Sequence, residues 1–444
     1  MSEPVNKAPR HQYEAFLRQL PADWDHQEIT QLGAVVGGGT PSREVPSFWR
    51  GPIPWVTPGE VSGEASKLLH DTQEHISPSG LAGSGANLLP AGSLLVTTRA
   101  TLGARVINAV PMATNQGFKS IVFKKPEEAS YYYHLFEKVK PELVRRASGT
   151  TFLEISSAEF GSIKLPSPSP DEKLKIAQLL DTLDTAIHQT EAIVEKLKQV
   201  KLGLLHDLLT RGVDANGELR PSHEQAPHLY QESRLGWIPK DWTLRSVASL
   251  GEIKSGSTPS RGKADRYFHP EGTPWVKTLD LNEDVIFKTD ECITAAALRE
   301  SSCSILPVGS VLIAMYGGWE QIGRTAMLGV PSATNQAIST VTINDPEVVP
   351  EFVLRALQHG RPRWKRVAAS TRKDPNITKV DVETFELPMP STRAEQDAIV
   401  TRFRAVLNRL AVEQFELHKR QEEKAGAMDD LLTGRVRVTP LLAQ

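Results

Sequence analysis

From Leu20 the chain reads Leu20-Pro-Ala-Asp-Trp24, then Leu32-Gly33, Gly39-Thr40-Pro41-Ser42 and Pro54-Trp55-Val56. From Ile238 the same order returns as Ile238-Pro-Lys-Asp-Trp242, Leu250-Gly251, Ser257-Thr258-Pro259-Ser260 and Pro274-Trp275-Val276. Leu89-Pro-Ala-Gly-Ser93 is answered by Leu306-Pro-Val-Gly-Ser310, Ala113-Thr-Asn-Gln116 by Ala333-Thr-Asn-Gln336, and Asp207-Leu-Leu-Thr210 by Asp430-Leu-Leu-Thr433. The offset is 218 residues at Trp24 and Trp242 and 220 at Trp55 and Trp275. Such a tandem duplication predicts an internal pseudo-twofold repeat, a form suited to a target that is itself two-part.

A chain of 444 residues has room for several domains, each with its own core. Its 31 Pro and 31 Gly are spread throughout, which predicts many turns. With 51 Lys and Arg against 53 Asp and Glu, any surface for a polyanion must be a local patch. Cys292 and Cys303 lack counterparts in the first repeat, which argues for a reducing compartment and two small buried side chains. No apolar leader or membrane-length run is present, so the expectation is a soluble, cytoplasmic protein.

Within each repeat the texture changes at Leu165-Pro166 and at Leu387-Pro388. Upstream, Ser93–Thr97, Ser120–Phe123, Ser310–Ala314 and Ser339–Ile343 read as strands, and Ser130–Arg146 and Val349–Val367 as helices. Downstream, each repeat becomes one long helix. Ser169-Pro-Asp-Glu172 and Thr392-Arg-Ala-Glu395 are capping boxes, and Gly212 and Gly434 stand just past the ends. Ile176, Leu180, Leu183, Ile187, Thr190, Val194, Leu197, Lys201, Leu204 and Leu208 alternate spacings of four and three, a heptad seam. The second helix repeats it as Ile399, Phe403, Val406, Leu410, Glu413, Leu417, Arg420, Lys424, Ala427 and Leu431, with charges interrupting the latter half. At about 1.5 Å per residue each rod is roughly 58 Å long, and the simplest arrangement is an antiparallel coiled-coil spacer; the alternative is that each helix packs on its own domain.

Catalytic signatures are missing. Gly318-Trp-Glu-Gln-Ile-Gly323-Arg324-Thr325 places Arg where a phosphate-binding loop needs Lys, Gly37-Gly-Gly39 precedes no helix, and Pro170-Asp-Glu-Lys173 is the first turn of a helix. No His pair has metal-ligand spacing, and the Asn-Pro-Pro-Tyr tetrapeptide of aminomethyltransferases is absent. The expectation is a reader with no catalytic residue, no metal and no cofactor of its own.

Polar and basic positions instead recur in pairs. Lys138, Lys140, Arg145 and Arg146 lead into a loop with Thr150 and Thr151; Arg361, Arg363, Lys365 and Arg366 lead into one with Arg372, Lys373 and Asn376. Cations on a helix suit phosphates and small polar loops suit base edges, although a solvated helix face would look the same. Thr40, Ser42 and Arg43 match Thr258, Ser260 and Arg261, whereas Arg99 and Thr101 stand where the second repeat has Tyr316, Trp319 and Gln321. The shared frame with different tips would let two copies of one fold read two sequences.

On these tags, in this order and twice over, nearly the whole chain resembles the specificity subunit of type I restriction-modification systems. The resemblance implies an α+β fold with two mixed α/β target recognition domains joined by two long antiparallel coiled-coil helices. The expected division is a first recognition domain over 1–168, a central helix over 169–211, a linker over 212–237, a second recognition domain over 238–390, and a distal helix with its tail over 391–444. It implies double-stranded DNA as ligand, each domain reading half of a split site. Two modification subunits, which carry S-adenosylmethionine and methylate adenine, would bind along the helices, with Ile176, Leu180, Leu183, Ile187, Val194, Leu197, Ile399, Phe403, Val406, Leu410 and Leu417 as the expected partner contacts, and a restriction subunit would join them. A scaffold that binds proteins and no DNA, or an enzyme with an unrecognised site, remain as alternatives on the residues alone.

Overall fold

The structure is a computed structural model that describes residues 12–62, 66–99, 101–147, 154–368 and 376–442, the side chain of Lys365 apart. It divides into two compact units, Met1–Glu191 with Phe415–Gln444, and Ala192–Gln414. Each unit therefore holds one repeat and half of either long helix.

In the first unit a five-stranded sheet has the order Gly33–Gly37, Phe118–Phe123, Leu94–Thr97, Arg105–Asn108, Leu68–Leu69, antiparallel except for the last pair. Gly251–Ser255, Ile338–Ile343, Val311–Ala314, Thr325–Leu328 and Val285–Ile286 repeat it in the second. The middle strands are buried on both faces, which is why they read as unbroken apolar runs. Leu94 and Val96 face the core that the helix Ala129–Arg146 completes, while Leu95 faces a second cluster with Val56, Met112 and Phe118. Val311 and Ile313 against Leu312 and Ala314 divide in the same way. The Leu-Gly tags have a steric cause: a Cβ on Gly33 would collide with the carbonyl of Val122, and on Gly251 with that of Thr342.

The remaining tags converge beside the sheets. Trp55 Nε1 donates to the Gly39 carbonyl at 2.9 Å and Trp275 Nε1 to the Ser257 carbonyl at 3.1 Å. The Asn115 and Asn335 side chains accept backbone amides two residues on, at 2.8 and 3.1 Å, closing the same turn twice.

Two segments depart from expectation. The helix foreseen over 349–367 is Pro350–Gly360, a 3-10 turn Arg361–Arg363 and a short helix Trp364–Val367, because Pro362 has no amide to continue the ladder. The linker over 212–237 contributes most of a hairpin, Tyr230–Ser233 with Gly236–Pro239, that the first repeat lacks.

The central helix spans Pro170–Thr210 and the distal helix Arg393–Leu432. Ile176, Leu180, Ile187, Thr190, Val194, Ile399, Phe403, Leu410 and Leu431 are buried, as the heptad register requires, and Leu183, Leu197, Val406 and Leu417 are half-buried. In the first unit the two halves run antiparallel, with Lys424 on Asp184 and Arg420 Nη1 reaching the Ala186 carbonyl at 3.4 Å. Arg420 and Lys424 are thus polar contacts within it.

Ser169 Oγ and Thr392 Oγ1 accept the amides of Glu172 and Glu395, each at 3.3 Å. The box's other half is different: the carboxylates turn to arginines arriving after the end of the other long helix. Arg437 Nε and Nη2 reach Glu172 at 3.0 and 2.8 Å and the same guanidinium clasps Asp23. Arg220 pairs with Glu395 and, at 2.8 Å, with Asp241, while the Val213 amide and Trp242 Nε1 donate to Glu395 at 3.0 and 3.1 Å. Gly434 and Gly212 end the helices with φ of 68° and 64° and pack on Trp24 and Trp242, where a side chain has neither the conformation nor the room.

A second cluster uses equivalent positions with a different set of charges. In the first unit Asp181, next to Leu180, accepts Lys67 at 2.6 Å, Ser130 at 2.9 Å and His134 at 2.8 Å. In the second, Arg404, next to Phe403, pairs with Glu351, and Arg355 joins Glu351 at 3.1 Å and Asp284 at 2.8 Å. Position by position, Lys67 becomes Asp284, Ser130 Glu351, His134 Arg355 and Asp181 Arg404.

Two consequences can be measured. Glu395→Ala leaves the 12% exposed side chain of Arg220 with only the exposed Asp241 and strips the Val213 amide and Trp242 Nε1 of their acceptor, and is expected to cost about 3–5 kcal/mol in urea unfolding; a loss below about 1 kcal/mol would show the pair to be water-screened. Burial would raise the pKa of Asp181, but hydrogen bonds from His134 and Lys67 hold it from 3.8 down to about 2. Its contribution is therefore present above pH about 4 and lost as the pH falls toward about 2, so Asp181→Asn should flatten that limb of the stability profile. An unchanged limb would refute the assignment.

Candidate nucleic-acid interface

The residues expected to touch DNA fall into three states: committed within the chain, exposed and free, or outside the described residues. Thr40 Oγ1 donates to Gln116 Oε1 at 2.5 Å and Thr258 Oγ1 to Gln336, so the Gly/Ser-Thr-Pro-Ser and Ala-Thr-Asn-Gln tags meet in both repeats. Ser42 Oγ accepts the Glu44 amide at 3.3 Å, and Ser260 is exposed.

Arg43 lies 3.7 Å over the Trp49 ring and is held in a fork by Glu74. Arg261 repeats this over Phe268, 4.3 Å from its centroid, with Glu291 at 2.6 and 2.8 Å. Hydrogen bonds from Arg261 pull the Glu291 carboxyl down to about 2, and Arg43 lowers Glu74 in the same sense. Expected as fingertips, both arginines are clasps that fasten the Thr-Pro-Ser turn to the segments carrying Glu74 and Glu291. Their carboxylate partners went unseen in the sequence because each stands some thirty residues away with no periodic relation to it.

Arg99 pairs with Glu154 at 2.8 Å, and Thr101 beside it is exposed. Among the described residues the equivalent segment of the second unit carries no such pair: Tyr316 and Trp319 are 42% and 47% exposed, flanking Gly317 and Gly318 at φ 113° and 79°. Gln321 accepts Arg324 at 3.0 Å. Trp319 borders an open cleft of about 700 Å³ together with Lys201, Leu205, Arg361 and Trp364.

The basic helices divide similarly. Arg145 and Arg146 share the buried Glu142 at 2.6 Å, and Arg146 also reaches Ser162 at 2.6 Å, so both serve the fold. Burial alone would raise the Glu142 pKa; the two guanidinia hold it below its ordinary value. Arg361 joins Glu283 at 2.7 Å. Arg363, expected on the phosphate backbone, is half-buried 4.2 Å over the Phe385 ring and donates to the Glu386 carbonyl at 2.9 Å, its pKa lowered by burial. Arg366 is exposed with no hydrogen bond or ion pair among the described residues. Asn376 is half-buried, and Thr150, Thr151, Arg372 and Lys373 lie outside the described residues.

The seam residues expected as partner contacts are needed by the chain itself. Ile176 and Leu180 belong to the first core, and Ile399 and Phe403 to the second, so they cannot also present themselves to another subunit. The apolar surface left on the helices is Leu174, Ile193, Val200, Leu202, Val412 and Phe415. His134, Asp181 and Asp184 have metal-like spacing, but Lys67 and Lys424 already neutralise the two carboxylates. No described helix is long and apolar enough to cross a membrane.

Known proteins share this frame. The profile of the family described as the type I restriction modification DNA specificity domain matches residues 21–199 and 239–421. The chain is similar to the specificity subunit of type I restriction enzyme MjaIX of Methanocaldococcus jannaschii, 28% identical over 307 residues and 68% of either chain. The MjaVIII specificity subunit of that organism is 22% identical over 437 residues and 95% of either chain. In fold it is similar to the type I restriction-modification S subunit of M. genitalium, with a TM-score of 0.58 at 12% identity over 93% of this chain and 98% of that one. A chain from a structure of type I restriction-modification complex assembly gives 0.53 at 14% identity over 94% and 99%. With one match to each repeat, the chain belongs to the type I restriction-modification DNA specificity family.

Proposed function

We propose that this chain is the DNA-reading subunit of a type I restriction-modification complex, in which each repeat reads one half of an asymmetric, bipartite site on double-stranded DNA. The observation that carries this reading is one frame built twice with different exposed chemistry at one place: Arg99 tied to Glu154 in the first unit, Tyr316 and Trp319 open to solvent in the second. Two modification subunits supply S-adenosylmethionine and adenine methylation, and a restriction subunit adds cleavage; this chain contributes recognition and assembly and no catalytic residue. The exposed Leu174, Leu202, Val412 and Phe415 on the long helices are the surface assigned to those partners.

Adenine methylation mapped across the genome with and without this gene tests the whole reading. The expected result is loss of one motif whose two specific halves differ and are separated by unspecified bases. A continuous or perfectly palindromic motif, or no change, overturns it.

Within the second half-site, Trp319→Ala should cost roughly 1–3 kcal/mol and relax preference at one base, since an exposed aromatic meets base edges or thymine methyls. Arg366→Ala should weaken every sequence alike and reduce the salt slope, as a phosphate contact does. Binding of the assembled methyltransferase to matched and single-mismatch duplexes at several salt concentrations separates them; identical behaviour of both variants would contradict the division.

A further inference from the structure

In the first unit the helix Ala129–Arg146 is tied to the last turns of the distal helix by an ion pair, Lys138 with Asp429. The equivalent positions in the second unit are His359, at the end of the helix Pro350–Gly360, and His206, in the last turns of the central helix. An attractive link at this spot is thus replaced by two imidazoles. His206 Nδ1 and His359 Nε2 face each other at 3.3 Å, with ring planes inclined by 49° and centroids 5.5 Å apart, so nitrogens meet and ring faces do not. As a hydrogen bond between neutral rings this is long. A tetrahedral ion with nitrogen ligands at about 2.0–2.1 Å separates two of them by about 3.3–3.4 Å, which is the spacing found.

We propose that His206 and His359 form a two-imidazole site for a divalent transition ion of the zinc and nickel class, fastening the central helix to the second recognition domain. Imidazole is the preferred donor for such ions, and because His206 is exposed, water fills the other coordination positions. The nearby Arg363 points its donors at the Glu386 carbonyl and its face at Phe385, and Asp207 is engaged by Arg211 at 3.5 Å. Arg363, a like charge beside the pair, makes this a weaker centre than a closed four-ligand one. The sequence could not disclose it, because the two residues lie 153 positions apart.

The test titrates the full-length chain with Zn²⁺ against a chromophoric chelator and follows thermal unfolding in parallel. Wild type is expected to take up one equivalent and unfold at a higher temperature with it. His206→Gln and His359→Gln should each lose that equivalent and that shift, while Lys138→Gln, at the equivalent place in the first unit, keeps both. Co²⁺ should bind without a thiolate charge-transfer band, which separates this site from Cys292 and Cys303. Should a single substitution unfold the chain, His206→Asp with His359→Lys installs the first unit's ion pair and must fold without binding the ion. Saturable binding that survives these substitutions, or none in the wild type, overturns the proposal.

Discussion

A carboxylate at the third position of each long helix, withdrawn from water, is the constraint on which the rest depends. Glu172 and Glu395 are 3% and 9% exposed, and a buried charge is tolerable only when its partner is delivered with good geometry. In both units the partner comes from chain that follows the other long helix, Arg437 after the distal one and Arg220 after the central one. Neither recognition domain is therefore complete on its own stretch of sequence. The first needs residues from the very end of the chain, where Leu431, Leu432 and Val438 also enter its core. The glycines at the helix ends belong to the same device, since only a left-handed residue without a side chain lets the turn close on Trp24 or Trp242.

Around that fixed node the two repeats have been free to exchange chemistry wherever the partners change together. The cluster at Asp181 and its counterpart at Arg404 show this most clearly, because the sign of the long-helix residue is reversed and Lys67 and Ser130 give way to the acids Asp284 and Glu351. A single unmatched change there would bring like charges together, whereas the concerted change leaves the backbone alone. The same rule covers Lys138 with Asp429 against His359 with His206. Steric requirements behave otherwise: Leu-Gly, Pro-Trp-Val and Ala-Thr-Asn-Gln keep their identity because each fills a position where a backbone or an indole allows one shape.

This distinction explains what could be read in the sequence. The repeat, the strands, both long helices with their caps and glycine stops, and the seam register are local or periodic properties, and they stand within one or two residues of where the pattern puts them. What the pattern could not convey was partnership across distance. Arg43 and Arg261 look like free cations until Glu74 and Glu291 are folded beside them, and Arg363 until Phe385 covers it. The seam residues looked available to another subunit because a heptad does not say whether its partner is foreign or its own. Pro362 is the local signal for the break in the helix foreseen over 349–367.

The pairing of so many cations bears on how a chain of this net charge could hold DNA at all. Of the basic residues expected at the interface, Arg43, Arg99, Arg145, Arg146 and Arg261 each face a carboxylate, leaving Lys140 and Arg366 as exposed, unpaired ones among the described residues of that set. Each neutralised phosphate releases counterions, and a protein with few free cations gains little affinity by that route. On the proposed function, the recognition domains would supply discrimination through uncharged and aromatic side chains, and most of the sequence-independent grip would fall to the modification subunits. When little of the binding energy is sequence-independent, the fixed cost of a wrong base is a larger share of the whole, which favours selectivity over residence on random DNA.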